Sequence, residues 1–514
     1  MSENNFKYFI TEGTLAQTVR LLTVGENGKF KRRDFVESLC KYCTNNTYNG
    51  NIGMVYGLRS TGKTVGMLQT AEILTEQGHK VAYARFDYDE TGMDAANGEM
   101  KELIAHGYTH FFIDEATYIG GFLNLSAEWP DLLVPANKIK IVVSGTDSFL
   151  LWVASTSSLF HRNARFSTNY MYYDEYKRVY GKSFEEFKTS GGIFPRADMS
   201  EFIQSAVVLN LLHTIDSCDE AGYGFSNIYV SRLFGIGADV IYKAVISILK
   251  CAVMPSIKRH FVKFAESENL PDLGTAIARW MPNEKKEIQA RIADSLRVYQ
   301  DFNKIENPEL VIEALLEFLV KIGCLTESFV SSSGYAAGQK IYYFSHNALM
   351  YYAIQETVNA IYELPGIEAE TFAKSIVQAQ EGFINESVVF SHVVMSTVPS
   401  VSGCRKAFKY HDIDGREIDV AVYDRNANTL CLIEVKSKSS INVASVFFDE
   451  ARHLYDDEVL KNIGADNDCE VTRMIVYQGE NRVISNELGD LFLANIEDFL
   501  LNCRDMARYI NHFE

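Results

Sequence analysis

Between residues 51 and about 180 the chain alternates short apolar runs with amphipathic stretches of helical length. NIGMVY (51–56), KVAYARF (80–86), HFFIDE (110–115) and KIKIVVSG (138–145) are rich in β-branched and aromatic residues, with helix-length segments between them. That alternation predicts an α/β unit on a parallel sheet, over residues 51–195. Residues 1–50 read as an N-terminal helical segment, with a basic knot at KFKRR (29–33) and a polar break at TNNTYNGN (44–51). From 196 to 375 helical periodicity takes over, as in EFIQSAVVLNLLHTI (201–215) and VIEALLEFLVKIG (311–323). Two stretches there have the outline of helix-turn-helix or winged-helix units. One is VSRLFGIGADVIYKAVISILK (230–250); the other is helix 309–323 with CLTESFV (324–330), a Ser/Gly-rich loop and KIYYF (340–344). Neither recognition helix is notably basic, so a helical spacer packed on the α/β unit is the stronger reading over a DNA reader. From 376 to 514 the pattern returns to mixed α/β: a helix through EGFINESVVFSHVV, a hairpin REIDVAVYDRNANTLCLIEVKSK, a helix, and the strand RMIVYQG.

A length of 514 residues exceeds one hydrophobic core, and 47% hydrophobic with 12% aromatic residues is enough to fill several. No apolar run is long enough to span a bilayer and no signal peptide opens the chain, so a soluble, cytoplasmic protein without a membrane partner is expected. Nine scattered cysteines argue for reduced thiols. The one CxxC pair, Cys40 and Cys43, lies on an amphipathic stretch and reads as packing rather than as a zinc site. A net charge of -18 disfavours broad electrostatic binding to DNA or RNA, while leaving room for a local basic groove.

Against that acidic background, GLRSTGKT (57–64) fits the phosphate-binding pattern GxxxxGK[ST], after a strand and before a helix. Gly57, Arg59, Ser60, Thr61, Gly62, Lys63, Thr64 and Val65 are expected to line a nucleotide. Glycines let backbone N–H groups curl around phosphate oxygens, Lys63 reaches the β and γ phosphates, and Thr64 holds Mg²⁺. Asp114 at the end of HFFIDE is expected in the Mg²⁺ shell, with Glu115 polarising the attacking water. On the next strand Thr146 and Ser144, beside Asp147, suit a sensor of the γ phosphate. Arg162 and Arg165 follow as arginine-finger or sensor candidates, with a plain surface role equally open. The ligand is therefore ATP with Mg²⁺.

Near the C-terminus, Glu434 and Lys436 share one face of TLCLIEVK, and the turn DRNAN folds Asp419 toward them. Two carboxylates and an ammonium at one point suit metal-assisted hydrolysis of a phosphodiester, with Asp419 and Glu434 holding Mg²⁺ or Mn²⁺ and Lys436 acting on the water. Residues 381–514 nevertheless carry 23 acidic against 13 basic side chains, which weighs against holding a nucleic-acid backbone unaided.

With GLRSTGKT, FFIDE, IVVSGTDS, the HR of LFHRNARF, KIYYFSHNALMYYAI and this C-terminal block, the chain resembles the AAA-type ATPases of bacteria and archaea that carry a winged-helix region and a C-terminal PD-(D/E)xK nuclease-like domain. The resemblance covers most of the chain. It implies an AAA-type core, a restriction-endonuclease-like end, and a further metal-holding glutamate from the preceding helix, where Glu386 fits. His161 replaces the family's usual glycine, a departure that bears on Arg162. The resulting expectation is an ATPase whose nucleotide state controls nucleic-acid cleavage. Its rivals are a switch or scaffold that binds a protein partner and carries a silent nuclease fold, and a nucleic-acid remodeller with a dead nuclease fold. An oligomer that shares arginines between neighbours is compatible with all three.

Overall fold

The computed structural model describes residues 6–25, 28–45, 52–87, 92–124, 129–130, 138–191, 199–222, 228–252, 308–331, 339–353, 381–397, 405–411, 417–465, 468–510 and 513. The expected boundaries at 50/51, 195/196 and 375/376 lie outside these residues, as does the Ser/Gly-rich loop between 332 and 338.

Six strands form the first sheet: β1 (Phe9–Thr11), β2 (Ile52–Tyr56), β3 (Val81–Arg85), β4 (His110–Asp114), β5 (Lys140–Ser144) and β6 (Asn163–Ser167), in the order β1-β3-β4-β5-β2-β6. β2 to β6 run parallel and β1 pairs antiparallel with β3. β4 and β5 are buried along their whole length, which is why their sequences are nearly continuous apolar runs. The edge strands carry no such signal. β1 lies in the segment read as helical, and three residues are too few to show an alternation. β6, NARFS, is half-exposed and mostly polar, as an edge strand can be. Helices α1 (Glu12–Leu22), α2 (Asp34–Thr44) and α3 (Lys63–Glu76) cover one face through Val19, Leu39, Tyr42, Cys43 and Leu68.

The second sheet has eight strands: β7 (Leu325–Ser331), β8 (Gln339–Phe344), β9 (Arg405–His411), β10 (Glu417–Asp424), β11 (Thr429–Val435), β12 (Glu470–Tyr477), β13 (Arg482–Asn486) and β14 (Gly489–Asn495), in the order β8-β7-β9-β10-β11-β12-β14-β13. The hairpin β7–β8 comes from the 196–375 region, where CLTESFV and KIYYF are read as the strands of a winged-helix outline, and β7 pairs in parallel with β9 through Val330↔Lys409 and Ser331↔Tyr410. One sheet thus takes strands from both sides of the 375/376 division.

Between the sheets run α4 (Ser148–Thr156), α5 (Tyr173–Tyr180), α6 (Leu209–Glu220) and α7 (Glu381–Thr397). A single apolar cluster joins one face of each sheet through these helices, and includes Ile52, Phe111, Phe149, Phe202, Phe318, Val388 and Phe499. Among the described residues no helix is long and apolar enough to cross a membrane.

One polar joint is buried in this packing. Arg33 pairs with Glu175 at 2.8 Å, and their side chains are 9% and 3% exposed. The same guanidinium donates to the carbonyls of Thr61 (2.8 Å), Thr168 (2.9 Å) and Tyr170 (2.9 Å). Removing one partner of a buried pair leaves the other charge uncompensated, which costs about 3–5 kcal/mol. Arg33→Ala is therefore expected to destabilise the chain by about that amount in chemical unfolding. Arg33→Lys should recover less than half, because an ammonium cannot reproduce the fork; an Arg33→Ala chain of native stability would refute this role.

Candidate functional site

The phosphate loop takes its shape from positions where a side chain cannot fit. A Cβ at Gly57 would meet Thr168 Oγ1 at 2.1 Å, and Gly62, the residue before α3, has φ 88°. Ser60 shares the left-handed conformation at φ 67°. Lys63 is buried, and its ammonium donates to the loop carbonyls of Gly57 (2.6 Å) and Leu58 (2.9 Å). Burial lowers its pKa to about 8, although Glu115 and Asp114 pull the other way.

Asp114 is fully buried at the end of β4 and accepts hydrogen bonds from Thr64 Oγ1 (2.8 Å), Tyr83 OH (2.9 Å) and Ser144 Oγ. Glu115 follows at φ 56°, a strained value for a non-glycine residue. Its two carboxylate oxygens accept from the Thr146 amide (2.7 Å) and hydroxyl (2.6 Å). The structure therefore brings Lys63, Thr64, Asp114, Glu115, Ser144 and Thr146 together. Arg59, Ser60, Gly62, Lys63, Thr64, Val65, Glu115 and Thr146 line one cavity of about 460 Å3, with Arg85, Asp87 and Tyr118. A second cavity, about 370 Å3, adjoins it across Gly62 and Val65; Phe30, Arg33, Gln69 and Tyr180 stand in its wall. The two suit a nucleotide with its phosphates in the first and its base in the second. Thr64 and Asp114 are the donors that fit Mg²⁺.

Arg162 is not part of this site. β6 runs parallel to β2, and the Arg162 carbonyl accepts from Ile52 N at the start of β2. The phosphate loop leaves the opposite end of that strand, about 17 Å away at roughly 3.3 Å per residue. Arg165 lies within β6, beside Met54. The arginines that line the phosphate cavity are instead Arg59 and Arg85. His161, which stands where the resembled family has glycine, adopts φ 59° and makes the turn that glycine favours.

In the second sheet, β10 and β11 pair antiparallel with Val420 opposite Ile433, which sets Asp419 beside Glu434 as the hairpin pattern predicts. Asp419 accepts from Val435 N (2.8 Å). Burial, reinforced by the charges of Glu386 and Glu434, pushes its carboxyl well above the usual range. Burial also works to raise Glu434, but the hydrogen bond from His453 (2.6 Å) and the Lys436 ammonium (3.0 Å) outweigh it and hold Glu434 low. Glu386, on α7, pairs with Lys409 at 2.8 Å, and Lys409 also meets Glu417. These carboxylates have the hardness Mg²⁺ or Mn²⁺ prefers, but each already has a cation or an amide as partner. Among the described residues no group of three or more His, Cys, Asp or Glu is placed to hold a metal ion. As they stand, Glu386, Asp419 and Glu434 do not fit one.

Several residues of both sites were beyond sequence reasoning. Tyr83, Arg33, Thr168 and Asn169 reach the phosphate loop or its acids from other elements, and His453 reaches Glu434 from the short turn Arg452–Tyr455. Lys409 carries one local signal, a lone lysine inside the buried strand AFKY.

The lowered pKa of Lys63 has a measurable sign. The ammonium is the phosphate-binding form, so ATP affinity should fall by about tenfold per pH unit above pH 8, with a proton taken up on binding. Calorimetry in buffers of different ionisation heat reads this, and Lys63→Ala should abolish binding at every pH. Wild-type affinity that stays flat from pH 7 to 10 would contradict the assignment.

Residues 49–177 match the family model described as an AAA domain. Solved structures similar to the chain include AMPPCP-bound DnaA from Aquifex aeolicus, at 13% identity over 59% of this chain and 97% of that one, with a TM-score of 0.23. The S. cerevisiae Hsp104–ADP complex is similar at 12% identity over 76% of this chain and 61% of that one, with a TM-score of 0.26. No curated protein matches. The phosphate loop, the Asp114–Glu115 pair and the Thr146 corner all fall within the matched segment, so the chain carries an AAA-type P-loop domain that supports nucleotide-dependent activity.

Proposed function

We propose that this chain is an ATPase whose nucleotide state controls a C-terminal site acting on nucleic acid. The observation that carries this reading is the strap Thr168–Tyr173. At one end Thr168 Oγ1 lies 2.6 Å from Thr61 Oγ1, and Asn169 Oδ1 accepts from Leu58 N at 3.0 Å, both in the phosphate loop. At the other end Tyr173 N donates to His392 Nε2 at 2.9 Å. Since Nε2 accepts, Nδ1 carries the proton and faces Val388 O (3.0 Å) and the Tyr170 hydroxyl (2.5 Å). His392 is fully buried on α7, the helix that also presents Glu386 to the C-terminal cluster. The strap thus touches both the loop that surrounds phosphates and the helix that supplies a carboxylate.

In the P-loop domain, Lys63 exchanges the carbonyls of Gly57 and Leu58 for phosphate oxygens. Glu115 gives up one bond to Thr146 to take a proton from the attacking water. Mg²⁺ held by Thr64 and Asp114 supplies charge neutralisation of the phosphates. The first exchange alters groups next to the strap, since Asn169 holds Leu58 N and Thr168 meets Thr61, so a change of nucleotide reaches α7 through hydrogen bonds already formed. At the C-terminal cluster, action on a phosphodiester requires Glu386 to be freed from Lys409; Lys436 and His453 then flank Glu434 as donors to the phosphate.

A second reading is a nucleotide-dependent switch that binds a protein partner and cuts nothing. Its support is the lysine-neutralised cluster, together with the acidic balance of residues 381–514. Because Arg162 stands at the far rim of the sheet, any contact it makes with nucleotide belongs to a neighbouring copy.

The deciding experiment offers the full chain a panel of DNA and RNA with Mg²⁺ or Mn²⁺, with and without ATP. Cutting is expected to depend on ATP, to fall at least a hundredfold (roughly the scale of losing one positioned proton donor) in Lys436→Ala with ATP binding intact, and to lose its ATP dependence in Lys63→Ala. No cutting in any condition would leave the switch.

A further inference from the structure

Glu115 and Thr146 stand at the ends of different strands, and a third element fixes them to one another. That element is α6, in the part of the chain whose sequence reads as a helical spacer. Asn210 Nδ2 donates to the Thr146 carbonyl at 3.1 Å. The Thr214 hydroxyl donates to Asp147, lying 2.7 and 2.8 Å from its two oxygens, and His213 Nδ1 lies 2.8 Å from Asp147 Oδ2. Asp147 is fully buried and accepts from Leu150 N at 2.9 Å, so it also caps α4. On its other side the His213 ring meets Tyr118 edge-on, with centroids 5.8 Å apart. Tyr118 ends the short turn Ala116–Tyr118 that follows Glu115, and it lines the phosphate cavity.

His213 therefore touches both parts of the catalytic pair's support: the residue after Thr146, and the turn that holds Glu115 at its left-handed φ. The three contacting residues sit at i, i+3 and i+4, one face of a helix. The helix reaches that register through the π-helical turn Gln204–Val208, a feature that concentrates at functional positions.

We propose that His213, with Asn210 and Thr214, is a positioning residue for ATP hydrolysis: α6 clamps the Thr146–Asp147 corner to the Glu115–Tyr118 turn and so fixes the Glu115 carboxylate. The inference rests on ATP hydrolysis at the phosphate loop and not on what the C-terminal cluster does. Catalysis is sensitive to such placement, since a shift of about 1 Å can cost two orders of magnitude in rate.

The test uses the full chain and separates turnover from binding, with steady-state ATP hydrolysis for the first and displacement of a fluorescent nucleotide for the second. The His213 side chain is 24% exposed at the edge of a cavity of about 710 Å3, so its removal opens no hole in the core. His213→Ala is expected to lower kcat by about tenfold or more and to leave ATP affinity within about twofold. His213→Asn, which keeps a donor near the Nδ1 position, should recover most of the loss, and Thr214→Val should move kcat in the same direction. An unchanged kcat in His213→Ala overturns the proposal. So does a parallel loss of kcat and affinity that Asn does not rescue, since that marks a purely structural role. Should His213→Ala fail to fold, Thr214→Val decides by the same split. A wild-type chain that binds ATP without hydrolysing it would overturn the ATPase reading and this inference with it, whereas absence of nucleic-acid cleavage touches neither.

Discussion

The buried guanidinium of Arg33 is the contact on which the phosphate loop and its surroundings depend. It joins the N-terminal segment, the carbonyl of Thr61 within the loop, the carbonyls of Thr168 and Tyr170 in the strap, and the carboxylate of Glu175 on α5. A planar cation with a fixed fork of donors can hold several acceptors in one geometry, and an uncharged or flexible group cannot. Around this point the N-terminal elements are part of the domain: β1 extends its sheet, while α1 and α2 cover it. Arg178 adds an exposed pair to Asp34 nearby, and Arg504 a half-buried one. The exposed pair contributes little beside the buried one.

What the sequence makes legible is what is local. GLRSTGKT, HFFIDE and IVVSGTDS announce their elements by apolar periodicity and their chemistry by spacing, and the structure brings Lys63, Thr64, Glu115 and Thr146 to one cavity, with Asp114 buried behind Thr64. The Asp419–Glu434 juxtaposition was likewise readable, since a tight turn between alternating strands leaves little freedom of register. Non-local partners were not. Arg33, the last of four basic residues in KFKRR, reads as one charge of a basic run, and nothing along the chain ties it to Glu175. Arg162 misleads for a related reason. It follows the sensor strand closely in sequence, but α4 has by then carried the chain back to the other rim of the sheet. The hairpin β7–β8 is legible as strands and not as part of the second sheet, because pairing with β9 is a long-range choice made by tertiary packing.

Both sites share an electrostatic character that net charge does not describe. The chain is strongly acidic, yet its acids of interest are each held by a named partner: Glu115 by Thr146, Glu386 by Lys409, Glu434 by Lys436 and His453. In a poorly solvated interior such pairings are stronger than at the surface, and leaving one member unpaired is costly. Binding of a ligand by the acids of either cluster therefore requires exchange of partners and not its simple arrival.

In the proposed function the helix α7 is the element that couples the two exchanges. Glu386 and His392 are six residues apart, about 240° around the helix at 100° per residue, so they face different neighbours. Glu386 meets Lys409 of the second sheet, and His392 meets the backbone of Tyr173 in the strap. His392 is fully buried and Glu386 half-buried, and the helix between them is packed by Val388, Val389 and Phe390. A close-packed helix moves as a body and does not absorb displacement by bending. On that reading, a shift of the strap that follows rearrangement of Leu58 and Thr61 is carried along α7 to Glu386, where the ion pair with Lys409 is the contact that yields or resists.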